Sequence, residues 1–160
     1  MKQMNMNTPD FAQLAQRLQV LEDKEAIRST LIRGWRALDF KDWDGWIAHW
    51  AEDAEFEFGP WGVLKGRQAI RKKVVAAETP YAAMEHQLLN MDFEVSGDQA
   101  TGIGFMWFIG IADSQKPDEL ISMGGPYDWE FVREAEGWKI RRIKLGVWWS
   151  QGEDSISAFK

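Results

Sequence analysis

The chain has 160 residues, 45% of them hydrophobic, and 19 basic against 25 acidic side chains leave a formal charge of −6. That length holds one domain with one sizeable core, and the acidic balance excludes a nucleic-acid groove, which needs basic side chains to displace counterions. With no cysteine and only two histidines, a disulfide framework, a thiolate nucleophile, a cysteine-ligated metal centre and a three-histidine metal site all fall away.

Residues 1–8 are polar, methionine-rich and without period, the pattern of a loose tail. Thr8-Pro9 reads as an N-cap followed by proline at the first helical position. Leu14, Leu18 and Leu21 follow at helical spacing, and Ile27, Leu31, Trp35 and Leu38 form a second amphipathic set. Asp39, four beyond Trp35, extends that apolar stripe. A short third helix is expected from about Lys41 to Trp50. From Asp53 the period changes to two: Ala54, Phe56 and Phe58 alternate with Glu55 and Glu57. Gly59-Pro60 makes a turn, and Trp61 to Leu64 is the return strand of a hairpin. Gly66 to Glu78 is helical by composition. Three strand-like runs follow, roughly 84–96, 98–113 and 119–150, the last split by a turn at Glu134 to Gly137. This order predicts a single α+β domain over 9–150, with residues 151–160 as a second tail.

The longest nearly unbroken apolar run, Gly102 to Ala112, is too short for a bilayer, and the first residues open no secretory signal, so a cytoplasmic protein is expected. In the second long run Ile103, Phe105, Trp107 and Ile109 alternate with Gly104, Met106, Phe108 and Gly110, leaving both faces apolar. Helices can cover one; a neighbouring subunit is expected on the other. Ten tryptophans against two tyrosines supply a large apolar area for a core, an interface or a ligand cavity.

Phosphate loops, dinucleotide fingerprints, zinc-helix motifs and nucleophile elbows are all missing. His86 lies between Met84 and Leu88 at period two, which turns its imidazole toward the apolar side. There it is either a core histidine or, oriented by a carboxylate, a general base near neutral pH. Asp39 faces the same way, and it also fits as the N-cap of the next helix. His49, between Trp46 and Trp50 in the third helix, reads as a packing residue. Glu52, Asp53, Glu55 and Glu57 read as a solvated face, and Arg141, Arg142 and Lys144 as straddling a bulge. Tyr81 and Tyr127 are candidate proton donors that spacing does not place.

The order and separation of LEDKEAIRSTLIRGWRALDFKDWDGW, AEDAEFEFGPWGVLKGRQAIRKKV, HQLLNMDFEVSGDQATG and YDWEFVREAEGWKIRRIKL, over about residues 20–150, resemble the nuclear-transport-factor-2-like superfamily. Within it they resemble the polyketide-cyclase and dehydratase branch called SnoaL-like, whose members include scytalone dehydratase, bile-acid dehydratase and hexachlorocyclohexane dehydrochlorinase. The resemblance implies a cone-shaped roll: a bent, mostly antiparallel sheet wrapped around N-terminal helices, with a deep apolar pocket. It also implies a lyase without metal or coenzyme, often trimeric, whose dyad falls on Asp39 and His86. The chain departs from some members in carrying Gly34 where they have a tyrosine and Val147-Trp148-Trp149 where they have an arginine. It has no acidic residue near Phe108.

The function expected is therefore a cofactor-independent dehydratase or formaldehyde-eliminating lyase acting on a bulky aromatic or alicyclic molecule, such as a lignin-derived diaryl compound. His86 would be the base and Asp39 its orienter, with Trp35, Trp61, Phe108, Tyr127 and Trp149 against the substrate. No nucleic-acid, membrane or metal partner is expected, and a homo-oligomer, with a trimer favoured, is. The alternatives are an isomerase or cyclase in the same pocket, a non-catalytic small-molecule-binding module, and a structural partner in a larger complex.

Overall fold

A computed structural model describes residues 10–155 and 157–159. The expected Thr8-Pro9 helix start and the tail before it lie outside these residues. Asp10 caps the helix that follows, accepting from the Ala12 N–H at 3.2 Å. The two leucine-rich sets belong to one helix, α1 (Phe11–Asp39), because nothing between Leu21 and Ile27 breaks helical geometry. Its second half buries Ile27, Leu31, Trp35 and Leu38, whereas Leu14, Leu18 and Leu21 are exposed. The first turns run beyond the sheet, so apolar spacing there marks a face without a partner in the protomer.

The third helix is shorter than expected: α2 (Trp43–Ile47) is capped by Asp42, which accepts from the Gly45 N–H at 3.0 Å. Trp50 already begins β1 (Trp50–Phe58), which turns through Gly59–Trp61 into β2 (Gly62–Lys65). Next come α3 (Arg67–Glu78), β3 (Ala83–Ser96), β4 (Gln99–Ile111), β5 (Leu120–Glu134), β6 (Gly137–Leu145) and β7 (Trp149–Gln151). The last predicted run thus contains two breaks, the second at Gly146–Trp148.

The strands form one curved, unclosed sheet in the order β2-β1-β6-β5-β4-β3, with β7 pairing β5 where β6 has ended. All pairs are antiparallel except β1 with β6. The fold is α+β as expected, with α1 packed on β3 and β6 and α3 on β1 and β2. Of three register shifts in the sheet, one falls between Trp50 and Glu55 on β1, and two are single-residue bulges. Arg141 is the extra residue opposite Glu130 and Phe131, at the place its charged neighbours suggested. The other, at Asn90 and Met91, has Asn90 in the left-handed region (φ 51°) and shifts the inward phase from His86 and Leu88 to Phe93 and Val95. Near the middle of α1, Arg133 grips Asp23 with two bonds of 2.8 and 2.7 Å, and the Trp138 N–H joins at 3.2 Å. The guanidinium beside Asp23 holds its carboxyl below the usual range.

Candidate active site

The amphipathic stripe of α1 ends on Asp39, and β3 begins with Met84 and His86 turned toward that helix. The imidazole Nδ1–H donates to Asp39 Oδ1 at 2.7 Å, and the His86 backbone N–H donates to Oδ2 at 3.1 Å. A carboxylate only accepts, so this clamp fixes the proton on Nδ1 and leaves Nε2 outside the clamp. The cap role considered for Asp39 falls to Asp42; Asp39 is the partner of His86. Both side chains are largely withdrawn from solvent, at 7% and 14% exposure.

Glu78, the last residue of α3, was not singled out by sequence reasoning. It is buried, its Oε1 lies 3.8 Å from His86 Nε2, and its Oε2 has no protein hydrogen-bond partner. A signal for it exists: Ile70, Val74 and Glu78 are spaced by four, so the acid continues the buried stripe of α3, as Asp39 does on α1. Lys41, in the turn after α1 with φ 59°, holds the two acidic ends together by donating to the carbonyls of Thr79 and Tyr81 at 2.9 and 2.6 Å.

Burial raises the Glu78 carboxyl to about 7; the neighbouring imidazole opposes this rise and the charge of Asp39 adds to it. Burial alone would lower the imidazole of His86, but the bond to Asp39 and the charges of Glu78 and Asp39 outweigh it, and its pKa is raised. Both groups therefore hold a proton more tightly than they would in water. With the proton on Glu78, the imidazole is a neutral base facing a neutral acid. Burial also pushes up the phenols of Tyr81 and Tyr127, keeping them protonated.

His86 and Glu78 open on a cavity walled by Trp35, Trp46, Trp50, Trp61, Phe108, Tyr127 and other apolar side chains. Of the expected contact residues, Trp35, Trp61, Phe108 and Tyr127 are brought together here, and Trp149 is not. Its strand pairs with β5, which sets its ring over Gly124 on the opposite face of the sheet, edge-on to Trp107 at 6.0 Å. Tyr81 is buried beside the site, its ring 5.5 Å from that of Phe108, and is not part of the cavity wall. His49 is in the turn after α2, where its ring packs on Gly34: a Cβ there would lie 3.2 Å from the imidazole. Burial lowers its pKa.

The cavity is far smaller than the deep pocket expected, about 40 Å³, room for a water or two. Its filler is Phe159, which meets Phe58, Trp61, Tyr81 and Phe108 at ring separations of 6.1, 6.1, 6.3 and 5.4 Å. Asp154 ties this segment down by accepting from the Ala158 and Phe159 N–H groups. Residues that sequence reasoning treated as a tail thus complete the wall. Among the described residues no group of three or more His, Asp or Glu side chains is arranged to hold a metal ion. No helix among them is long and apolar enough to cross a membrane.

The family model of the SnoaL-like domain matches residues 19–144. No curated protein matches the sequence. Among solved structures, one from Novosphingobium aromaticivorans, provisionally described as an aromatic ring hydroxylase, is 23% identical with a TM-score of 0.76, covering 88% of this chain and 98% of that one. A second from the same organism, provisionally described as a scytalone dehydratase, is 22% identical with a TM-score of 0.73 over 81% and 86% of the two chains. A hexachlorocyclohexane dehydrochlorinase of type 2 is 21% identical with a TM-score of 0.71 over 89% and 92%. These likenesses are likenesses of fold.

Proposed function

The chain belongs to the SnoaL-like domain family, and from that premise we propose that it is a lyase that removes water or formaldehyde from an oxygen-bearing aromatic molecule by general base catalysis. The observation that carries this reading is the imidazole of His86, locked through Nδ1 to Asp39 at 2.7 Å with Nε2 on the side of an apolar cavity. Solved neighbours are named for a dehydratase and a dehydrochlorinase, both names of eliminations, which supports the reaction class. In a dehydration, Nε2 takes a proton from an acidified carbon, the C–H electrons become the new double bond, and the C–O bond breaks. In the formaldehyde variant Nε2 takes the hydroxyl proton of a CH₂OH group, and the O–H pair becomes the C=O bond of formaldehyde. The C–C bond breaks and its electrons form the new double bond, and the hydroxyl on the next carbon departs, taking up a proton as water. Asp39 stabilises the imidazolium in both.

The wall supports an aromatic substrate that carries oxygens. The indole N–H groups of Trp46, Trp50 and Trp61 are buried without a protein acceptor, each at a cost of about 1–3 kcal/mol, and a ligand oxygen would satisfy them. A diaryl substrate needs a few hundred Å³ or more, so Phe159 must withdraw to admit it. A purely binding cavity, the other reading this fold allows, has no use for three buried ionisable groups whose desolvation opposes folding. The same proposal includes self-association, a trimer by family resemblance, through the exposed apolar face carrying Ile103, Phe105, Trp107, Trp148 and Trp149.

The test is a panel of aryl β-hydroxy ketones and diaryl diols, followed by alkene absorbance and formaldehyde release. The wild type should turn over at least one, and His86→Gln and Asp39→Asn should each lower kcat by about 10²–10⁴ without loss of fold by circular dichroism. Variants as active as the wild type, or a panel that binds without reacting, would count against a lyase.

A further inference from the structure

Resting on the lyase reading, we propose that Glu78 is the catalytic acid of the site, delivering its proton to the leaving oxygen, so that the group expelled is a hydroxyl and not a halide. Three observations place it there. The side chain lies in the cavity wall beside His86. Its Oε1 is 3.8 Å from Nε2, close enough for both groups to reach one small substrate and far enough apart to act on two different atoms of it. Its Oε2 is buried with no protein partner, a donor or acceptor position left for a ligand.

The groups that face Glu78 are His86 from β3, Asp39 from α1, Tyr81 from the loop after α3, and Tyr127 from β5. None is a cation fixed in place. A carboxylate here would meet the charge of Asp39 with only the imidazole to offset it, and burial favours the neutral acid up to about pH 7. Chloride leaves as an anion and needs no proton; hydroxide is a poor leaving group and does.

The step balances. His86 Nε2 takes the carbon-bound proton, the C–H pair becomes the π bond, the C–O bond breaks, and the oxygen takes the Glu78 proton to leave as water. The site is left as imidazolium and carboxylate 3.8 Å apart, and transfer of the proton from Nε2 to Glu78 restores it. No co-reactant is required. Asp39 cannot serve as this acid, because both its oxygens accept from His86.

The experiment compares two probes that yield the same conjugated alkene: the aldol of benzaldehyde and acetone, and its β-chloro counterpart. With the full chain, Glu78→Gln should lower kcat on the hydroxy probe by about 10²–10⁴ and abolish the alkaline limb of its pH profile. On the chloro probe its loss should be smaller by about tenfold or more, whereas His86→Gln should lower kcat on both by about 10²–10⁴. Without any substrate, the infrared C=O stretch of a buried carboxylic acid should be present near about pH 6 and vanish in Glu78→Gln. Equal losses on both probes, no loss on either, or a Glu78 already ionised at that pH overturns the acid role. Turnover of neither probe by the wild type, or activity retained by His86→Gln, contradicts the lyase reading instead.

Discussion

A carboxyl that stays protonated to about 7 leaves a mark on folding that needs no substrate to detect. Unfolded, Glu78 ionises near 4.5; folded, it holds its proton to about 7. Between those values the native state binds the extra proton, so stability falls as pH rises, by about 3 kcal/mol across the window. The raised imidazole of His86 acts with the same sign: its contribution is complete below its unfolded value and is lost as pH rises through the folded one. Urea unfolding of Glu78→Gln from about pH 4.5 to 8 should therefore show a flatter profile than the wild type, with the variant gaining relative stability toward neutral pH. Parallel profiles would mean that Glu78 is ionised throughout. Periodicity marks His86 and Asp39 as polar residues continuing an apolar stripe, and the family resemblance is what pairs them in the sequence. Glu78 satisfies the same test on α3. Composition hides it, because a glutamate closing a helix that also carries Arg71, Lys72 and Lys73 has the pattern of solvated surface.

At the scale of elements, the closed cavity and the tie between helix ends each make a claim. Trp61 is met by Phe159, stacked at 17°, and by the Lys73 ammonium, 5.1 Å from its ring centroid. Phe159 is held by its ring contacts and by the bond from its N–H to Asp154. Phe159→Ala should enlarge the cavity and speed the uptake of a small apolar quencher of tryptophan fluorescence by about tenfold; uptake unchanged from wild type would place the entrance elsewhere. Lys41→Met removes two bonds from one ammonium to the Thr79 and Tyr81 carbonyls. It should cost about 1–3 kcal/mol in thermal or urea unfolding. Long periodic elements were readable ahead of structure: α3, the hairpin, and the turn at Glu134 to Gly137 all fall where composition puts them. Sequence periodicity carries no information on where an element outruns its partner, as α1 does at Leu14 to Leu21, or where a bulge such as that at Asn90 changes the phase. Nor does it show that Trp149 follows a break, which sends it to the outer face.

For the molecule as a whole, the sheet has two apolar faces and its helices cover one. Ile103, Phe105, Trp107, Trp148 and Trp149 stand exposed on the other, Trp148 at 71%, a concentration of large apolar side chains that monomers rarely present to water. Sedimentation of the full chain should give an oligomer. Trp107→Asp or Ile103→Asp should shift it to monomer with the fold retained, and a monomeric wild type would contradict this assignment of the face. Under the proposed function, closed cavity, clamped imidazole and buried acid belong to one site that opens, binds an aromatic molecule and closes over it. The measurement that tests this most directly is a crystal structure of the full chain with a slowly reacting aryl β-hydroxy ketone bound. The expected result has Phe159 displaced, the acidified carbon within reach of His86 Nε2, and the hydroxyl oxygen on Glu78. A ligand seated outside the cavity, or inside it with both groups still turned to each other and away from the ligand, would contradict the account.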